Sequence, residues 1–299
     1  MADAPATRLL KPEVLQQLAN LELIARASID GFLIGMHRSL NHGFSQEFAE
    51  YRSYQEGDDP RFIDWNVFAR TERMYLKQYW GETNTHLTLL VDCSASMGFS
   101  SGKVSKYEYA SWLAASLAFM AKRQQDAVGL LLFSEKVEHF RPPSARSEAL
   151  HAVLHLLEHT EPGSGTALGG PVRDCCDRIN RPGIIVVISD FLDHPEKIFD
   201  ELRPLHGRGQ DVILFQVLDP QELELNLKQS TRFQDMETGA AVNVDTQFAA
   251  EEYSAAMQQH IAGIAEVAKS TQADHHVMRT DEPLDEALRQ YLMHRQRRV

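Results

Sequence analysis

Four apolar runs constrain the fold more than any other feature of this chain: "HLTLLVD" from residue 86, "AVGLLLFS" from 127, "GIIVVISD" from 183 and "DVILFQVLD" from 211. They read as strands that are apolar on both faces, so both faces need cover. The segments between them supply it. "SKYEYASWLAASLAFMAKRQ" carries Tyr109, Trp112, Leu113, Ser116 and Met120 near one helical face, and "SEALHAVLHLLEHT" is a helix with Ser147 as candidate cap. Further helices run to about Ile179 and through "HPEKIFDELRPLHGRG", which glycine ends. "KVEHFRP" reads as an edge strand or hairpin partner, and residues 221–245 as turns with a short hairpin. "TQFAAEEYSAAMQQHIAGIAEVAKST" is a long helix, "DHHVMRT" a short strand and "PLDEALRQYLMHR" the closing helix. Such alternation predicts an α/β domain with a mostly parallel central sheet between two helical layers. In sheets of this kind, ligands collect at the carboxyl ends of the strands, at a topological switch point.

Residues 1–83 have a different texture. "PEVLQQLANLELIARA" predicts an amphipathic helix with Val14, Leu18, Leu21 and Ala25 along one stripe. A polar, aromatic-rich stretch follows, with a turn at Gly57-Asp58-Asp59-Pro60 and a candidate strand in "RMYLKQYW". Lacking a long apolar run, this region is expected to be a small α+β module (1–83) that packs on the main domain (84–299).

Composition narrows the function classes. The formal net charge of −12 disfavours nonspecific binding to nucleic acid, which needs Lys and Arg against phosphates. Cys93, Cys175 and Cys176 are odd in number and two are adjacent, so no disulfide framework is suggested. No apolar run approaches the ~18–20 residues of a membrane helix, and the opening has no apolar core of the signal-peptide kind. The expectation is a cytoplasmic protein with no membrane insertion.

Asp92 ends the first strand and Asp190 ends "GIIVVISD". Ser94 and Ser96 follow the first of these at alternate positions, and Thr166 lies in the glycine-rich "GSGTALGG". All five are oxygen donors expected at the carboxyl edge. Oxygen-only ligation suits a hard cation, Mg²⁺ or alternatively Mn²⁺ or Ca²⁺, and not zinc. Hydroxyl ligands add no formal charge, so the ion keeps an appetite for an acidic residue from another protein.

This layout resembles the von Willebrand factor A (vWA) domain and its metal-ion-dependent adhesion site, with "DCSAS", "GSGT" and "SD" standing for its D-x-S-x-S, Thr and Asp. The resemblance spans residues 86–294 by element order and implies a Rossmann-like three-layer fold. The stretch before it resembles the bacterial family catalogued as domain of unknown function 58. Tyr54, Gly57, Asp58, Asp59, Arg61, Ile63, Asp64, Trp65, Ala69, Arg70 and Thr71 carry that likeness. It implies a MoxR-type AAA+ ATPase as partner. By the resemblance to the vWA domain Ser94, Ser96 and Thr166 would touch the metal directly, while Asp92 and Asp190 would act through water or hold the serines.

Competing motifs are weaker. "GFSSGKVS" misses the phosphate-loop pattern at two places, since three residues separate Gly98 from Gly102 and Val104 follows Lys103. "GSGTALGG" misses G-x-G-x-x-G at Leu168. His151, His155 and His159 recur every four residues, but without the glutamate of a zinc helix they read as a solvated stripe. Cys93 reads as a buried, inert thiol. The charges from Arg52 to Arg73 read as an internal network rather than a docking surface. The expected function is therefore a non-enzymatic, metal-dependent adaptor that docks a partner's acidic residue. The alternative is a metal-dependent hydrolase on the same edge, which would need a general base beside a metal-bound water.

Overall fold

The computed structural model describes residues 23–25, 48–54, 64–79, 85–163, 165, 167–179, 181–205, 209–225, 231–234, 241–244 and 246–296. The chain divides into two compact units, 37–84 and the remainder. In the smaller unit, strand β1 (Phe48–Ser53), helix α1 (Trp65–Thr71) and strand β2 (Tyr75–Tyr79) follow one another. β1 and β2 pair antiparallel, with Tyr51 opposite Lys77 and Ser53 opposite Tyr75. Asp64 is buried and starts α1, its Oδ1 accepting from the Val67 N–H at 3.2 Å. The turn expected at 57–60 lies outside the described residues, as does most of the expected first helix. Of that helix, residues 23–25 are helical, and Ile24 and Ala25 join the core of the larger unit.

The larger unit opens with β3 (His86–Asp92), the helix α2 (Lys106–Arg123), β4 (Ala127–Phe133) and β5 (Val137–Ser144). Then come α3 (Ser147–His159), α4 (Gly169–Arg178), β6 (Ile184–Ser189), α5 (Pro195–Leu202) and β7 (Asp211–Leu218). A short α6 (Pro220–Leu223) and the hairpin β8 (Thr231–Gln234) and β9 (Ala241–Val244) lead to α7 (Thr246–Ser270), β10 (Asp274–Arg279) and α8 (Leu284–Gln296). α2 starts where it does because Ser105 and Glu108 form a capping box, each side chain taking the other's backbone N–H.

The sheet order is β10-β7-β6-β3-β4-β5. Every pair is parallel except β4–β5. The chain thus enters this sheet in its middle at β3, builds outward through β4 and β5, and returns to the other side of β3 with β6. That reversal makes the β3–β6 junction the switch point. Side chains alternate between two cores, as strand geometry requires. Leu89, Val91, Leu130, Ile188 and Phe215 face α2, α3 and α8; Leu90, Leu131, Val187 and Leu214 face α4, α5 and α7. This is the three-layer, vWA-like α/β architecture. Contrary to the one-faced pattern read from its sequence, α2 is buried nearly all round as far as Ala118.

β5 closes the sheet on one side, and its second half reads Arg141-Pro142-Pro143-Ser144. Its register slips opposite Gly129, where a Cβ would meet the Pro143 nitrogen at 2.8 Å. A second close approach occurs at Gly183, just before β6, where a Cβ would lie 2.3 Å from the His86 carbonyl oxygen.

Candidate functional site

The site grows out of the switch point. β3 and β6 run side by side in register, Val91 opposite Ile188, so Asp92 and Asp190 emerge together at the carboxyl edge. Both are buried. Beyond Asp92 the chain makes a 3-10 turn (Ala95–Gly98) with Ser94 at its start, anchored by the buried Met97. Asp92 shapes that turn: its Oδ1 accepts from the Ser94 N–H at 2.9 Å, and its Oδ2 accepts from the Ser189 hydroxyl at 2.6 Å. The Ser94 and Ser96 hydroxyls are 3.1 Å apart, and Ser96 donates to Asp190 Oδ2 at 2.7 Å. Alternate spacing has put both serines on one side of the turn.

The glycine-rich loop comes to the same edge. Gly163 N–H donates to the Cys93 carbonyl at 3.0 Å, and Ala167 N–H to that of Ser134 at 3.1 Å. Gly165 approaches so closely that a Cβ would stand 2.6 Å from Glu135 Oε1. Of the five expected residues, Asp92, Ser94, Ser96 and Asp190 are therefore together. Thr166 lies outside the described residues.

Electrostatics set two buried carboxylates against each other here. Burial, and then the neighbouring Asp190, push the Asp92 carboxyl up to about 7, against the hydrogen bonds from Ser189 and Ser94 that favour its ionised form. A hard cation held by two carboxylates and two hydroxyls would relieve that repulsion, so the donor set fits such an ion. Cys93, by contrast, is pushed up to about 12 by burial and the adjacent acids Asp92 and Glu138, which makes its thiol inert. His151, His155 and His159 are exposed on α3, and the rings of the latter two stack at 4.1 Å.

Several site residues escaped the sequence reading. Lys106, the first residue of α2, is fully buried, its ammonium 2.8 Å from Asp190 Oδ2 and 2.6 Å from Glu222 Oε1. Burial alone would lower its pKa, but Asp190 and Glu222 outweigh that and the net shift is upward, so the lysine is charged. Glu222 is held in turn by a capping box with the buried Asp219, whose N–H meets Glu222 Oε2 at 2.9 Å. Asp219 also takes the Ser101 N–H at 2.9 Å. Behind Asp190, Gln216 donates to its carbonyl oxygen at 3.0 Å, and His275 Nε2 lies 3.0 Å from the Gln216 amide oxygen. An available signal was that "DVILFQVLD" ends on aspartate just as the other two site strands do. Nothing in the sequence marked Lys106, because a lysine in a first helical turn ordinarily faces solvent.

Known proteins resemble this chain in sequence or in fold. An aerotolerance-related membrane protein from Bacteroides fragilis shares the fold, at 18% identity and a TM-score of 0.50 over 72% of this chain and 100% of that one. The VWA domain of SpRpn10 aligns at 9% identity and a TM-score of 0.41, over 69% and 95%. The Bacteroides protein is described as a membrane protein, which overturns the cytoplasmic location expected from the sequence, since this fold is not confined to that compartment. Among the described residues no helix is long and apolar enough to cross a membrane. Uncharacterised proteins of Mycobacterium tuberculosis and Mycobacterium bovis are 30% identical over 276 residues, covering 90% of this chain and 86% of theirs. The family model described as protein of unknown function DUF58 matches residues 50–263, and the chain belongs to that family.

Proposed function

We propose that this protein is a non-enzymatic adaptor that binds a divalent cation, Mg²⁺ in the first instance, at the carboxyl edge of β3 and β6 and docks an acidic residue of a partner protein there. Asp92, Ser94, Ser96 and Asp190 would hold the ion, with Thr166 as the fifth member of the set. The observation that carries the reading is the continuous oxygen chain from Ser94 through Ser96 to Asp190, set beside a second buried carboxylate at the switch point. The ion would supply a positive centre for a carboxylate from outside. With Asp92 and Asp190 acting through water and the hydroxyls adding no charge, the ion would keep part of its charge for that carboxylate. A MoxR-type AAA+ ATPase is the first partner to try.

The test is calorimetric titration of Mg²⁺ and Mn²⁺ into the native protein, Asp92→Asn and Ser96→Ala. Saturable binding is expected in the native protein and a loss of at least about tenfold in each variant. Asp92→Asn should keep or raise the melting temperature, since it removes a buried charge facing Asp190 while leaving an oxygen for the Ser94 N–H. Equal affinity in all three proteins would sink the proposal. Capture of the ATPase should need Mg²⁺ and fail in EDTA.

A further inference from the structure

Lys106 occupies a doubly unfavourable position. It is an ammonium with no exposed surface, and it stands in the first turn of α2, where the helix dipole favours anions. Glu108, in the same turn, follows that preference. The lysine's partners explain why it is tolerated: Asp190 Oδ2 at 2.8 Å and Glu222 Oε1 at 2.6 Å. The first of these is the same atom that takes the Ser96 hydroxyl at 2.7 Å. The ammonium therefore sits on the one oxygen that joins the serine chain to β6. Its four-carbon stem is flexible and its charge compact, so small movements can divide it unequally between the two acids. Glu222 is fixed for that purpose, with its other oxygen held by the Asp219 N–H.

We infer that Lys106 is a built-in counter-ion that competes with the divalent cation for Asp190, and that Glu222 is the anchor to which its ammonium withdraws. Lys106 thereby sets the affinity of the site. The inference rests on the reading of this edge as a cation site. While its ammonium rests on Asp190, Lys106 offsets one of the two strand-end carboxylates, so a divalent ion is held loosely until a partner's carboxylate joins. Docking and ion binding then strengthen each other.

The experiment is Mg²⁺ titration into the native protein, Lys106→Met and Glu222→Gln, with a thermal melt of each in Mg²⁺ and in EDTA. Lys106→Met frees Asp190 of its competitor and should tighten Mg²⁺ by about tenfold or more, given the strength of a unit charge at this range. Glu222→Gln leaves the ammonium concentrated on Asp190 and should weaken Mg²⁺. Opposite signs are what competition requires. A purely structural lysine would lose affinity in both variants, and that result overturns the inference. So does Lys106→Met binding with native affinity, which leaves the cation site itself standing. Binding in Lys106→Met alone supports the inference. No binding in either folded protein overturns the inference and the site reading together. Should Lys106→Met fail to fold, Glu222→Gln decides: weaker binding supports the competition, and equal or tighter binding overturns it.

Discussion

His275 shows how a single residue can make the stability of the fold depend on pH. Burial, then the adjacent His276, lower it to about 4, and the Gln216 amide oxygen it meets can only accept, so His275 Nε2 carries the proton of a neutral ring. The folded-state value lies below the ordinary 6.5. Above pH 6.5 neither folded nor unfolded chain protonates this ring, and its contribution to stability is complete. Below 6.5 the unfolded chain takes up the proton and the folded one does not until about pH 4, so stability is lost across that window. The loss should be on the order of 2 kcal/mol. Urea denaturation at pH 7 and pH 4.5 checks it: the advantage of the native protein over His275→Gln should shrink at the lower pH. An advantage that does not change would remove His275 from the account.

At the scale of elements, the strands were legible and the electrostatic wiring was not. β3, β4, β6 and β7 announce themselves because a strand covered on both faces leaves an uninterrupted apolar run. Asp92 and Asp190 were legible because a carboxylate ending such a run has no packing reason to be there. Lys106 and Glu222 lie 116 residues apart and meet only through the sheet order, which the pattern of single segments does not encode. The same limit hid the tight passage between β3 and the start of β6. A methyl group at Gly183 would collide with the His86 backbone, so Gly183→Ala should destabilise the protein by about 1–3 kcal/mol. The clash lies at the opposite end of β6 from the site, so Mg²⁺ affinity should change little. A melt and a titration on the same sample test both halves, and an unshifted melt would show that the two strands can part without cost.

The larger unit is built on a six-stranded sheet with a core on each face, and its strand-end carboxylates gather on one edge at the switch point. Local stability should follow that plan. Amides of β3, β4, β6 and β7, flanked by strands on both sides, should exchange with deuterium slowest, and those of β5 about tenfold faster or more. Equal protection in β5 would mean that the outer strand opens only with the global unfolding. The prolines of that outer strand have a consequence of another kind. Pro142 and Pro143 offer no N–H, so an extended segment from a neighbouring molecule finds that stretch of the margin short of a donor with which to continue the ladder. Copies brought together at high concentration thus meet a terminated sheet there, and fibril growth would have to begin elsewhere.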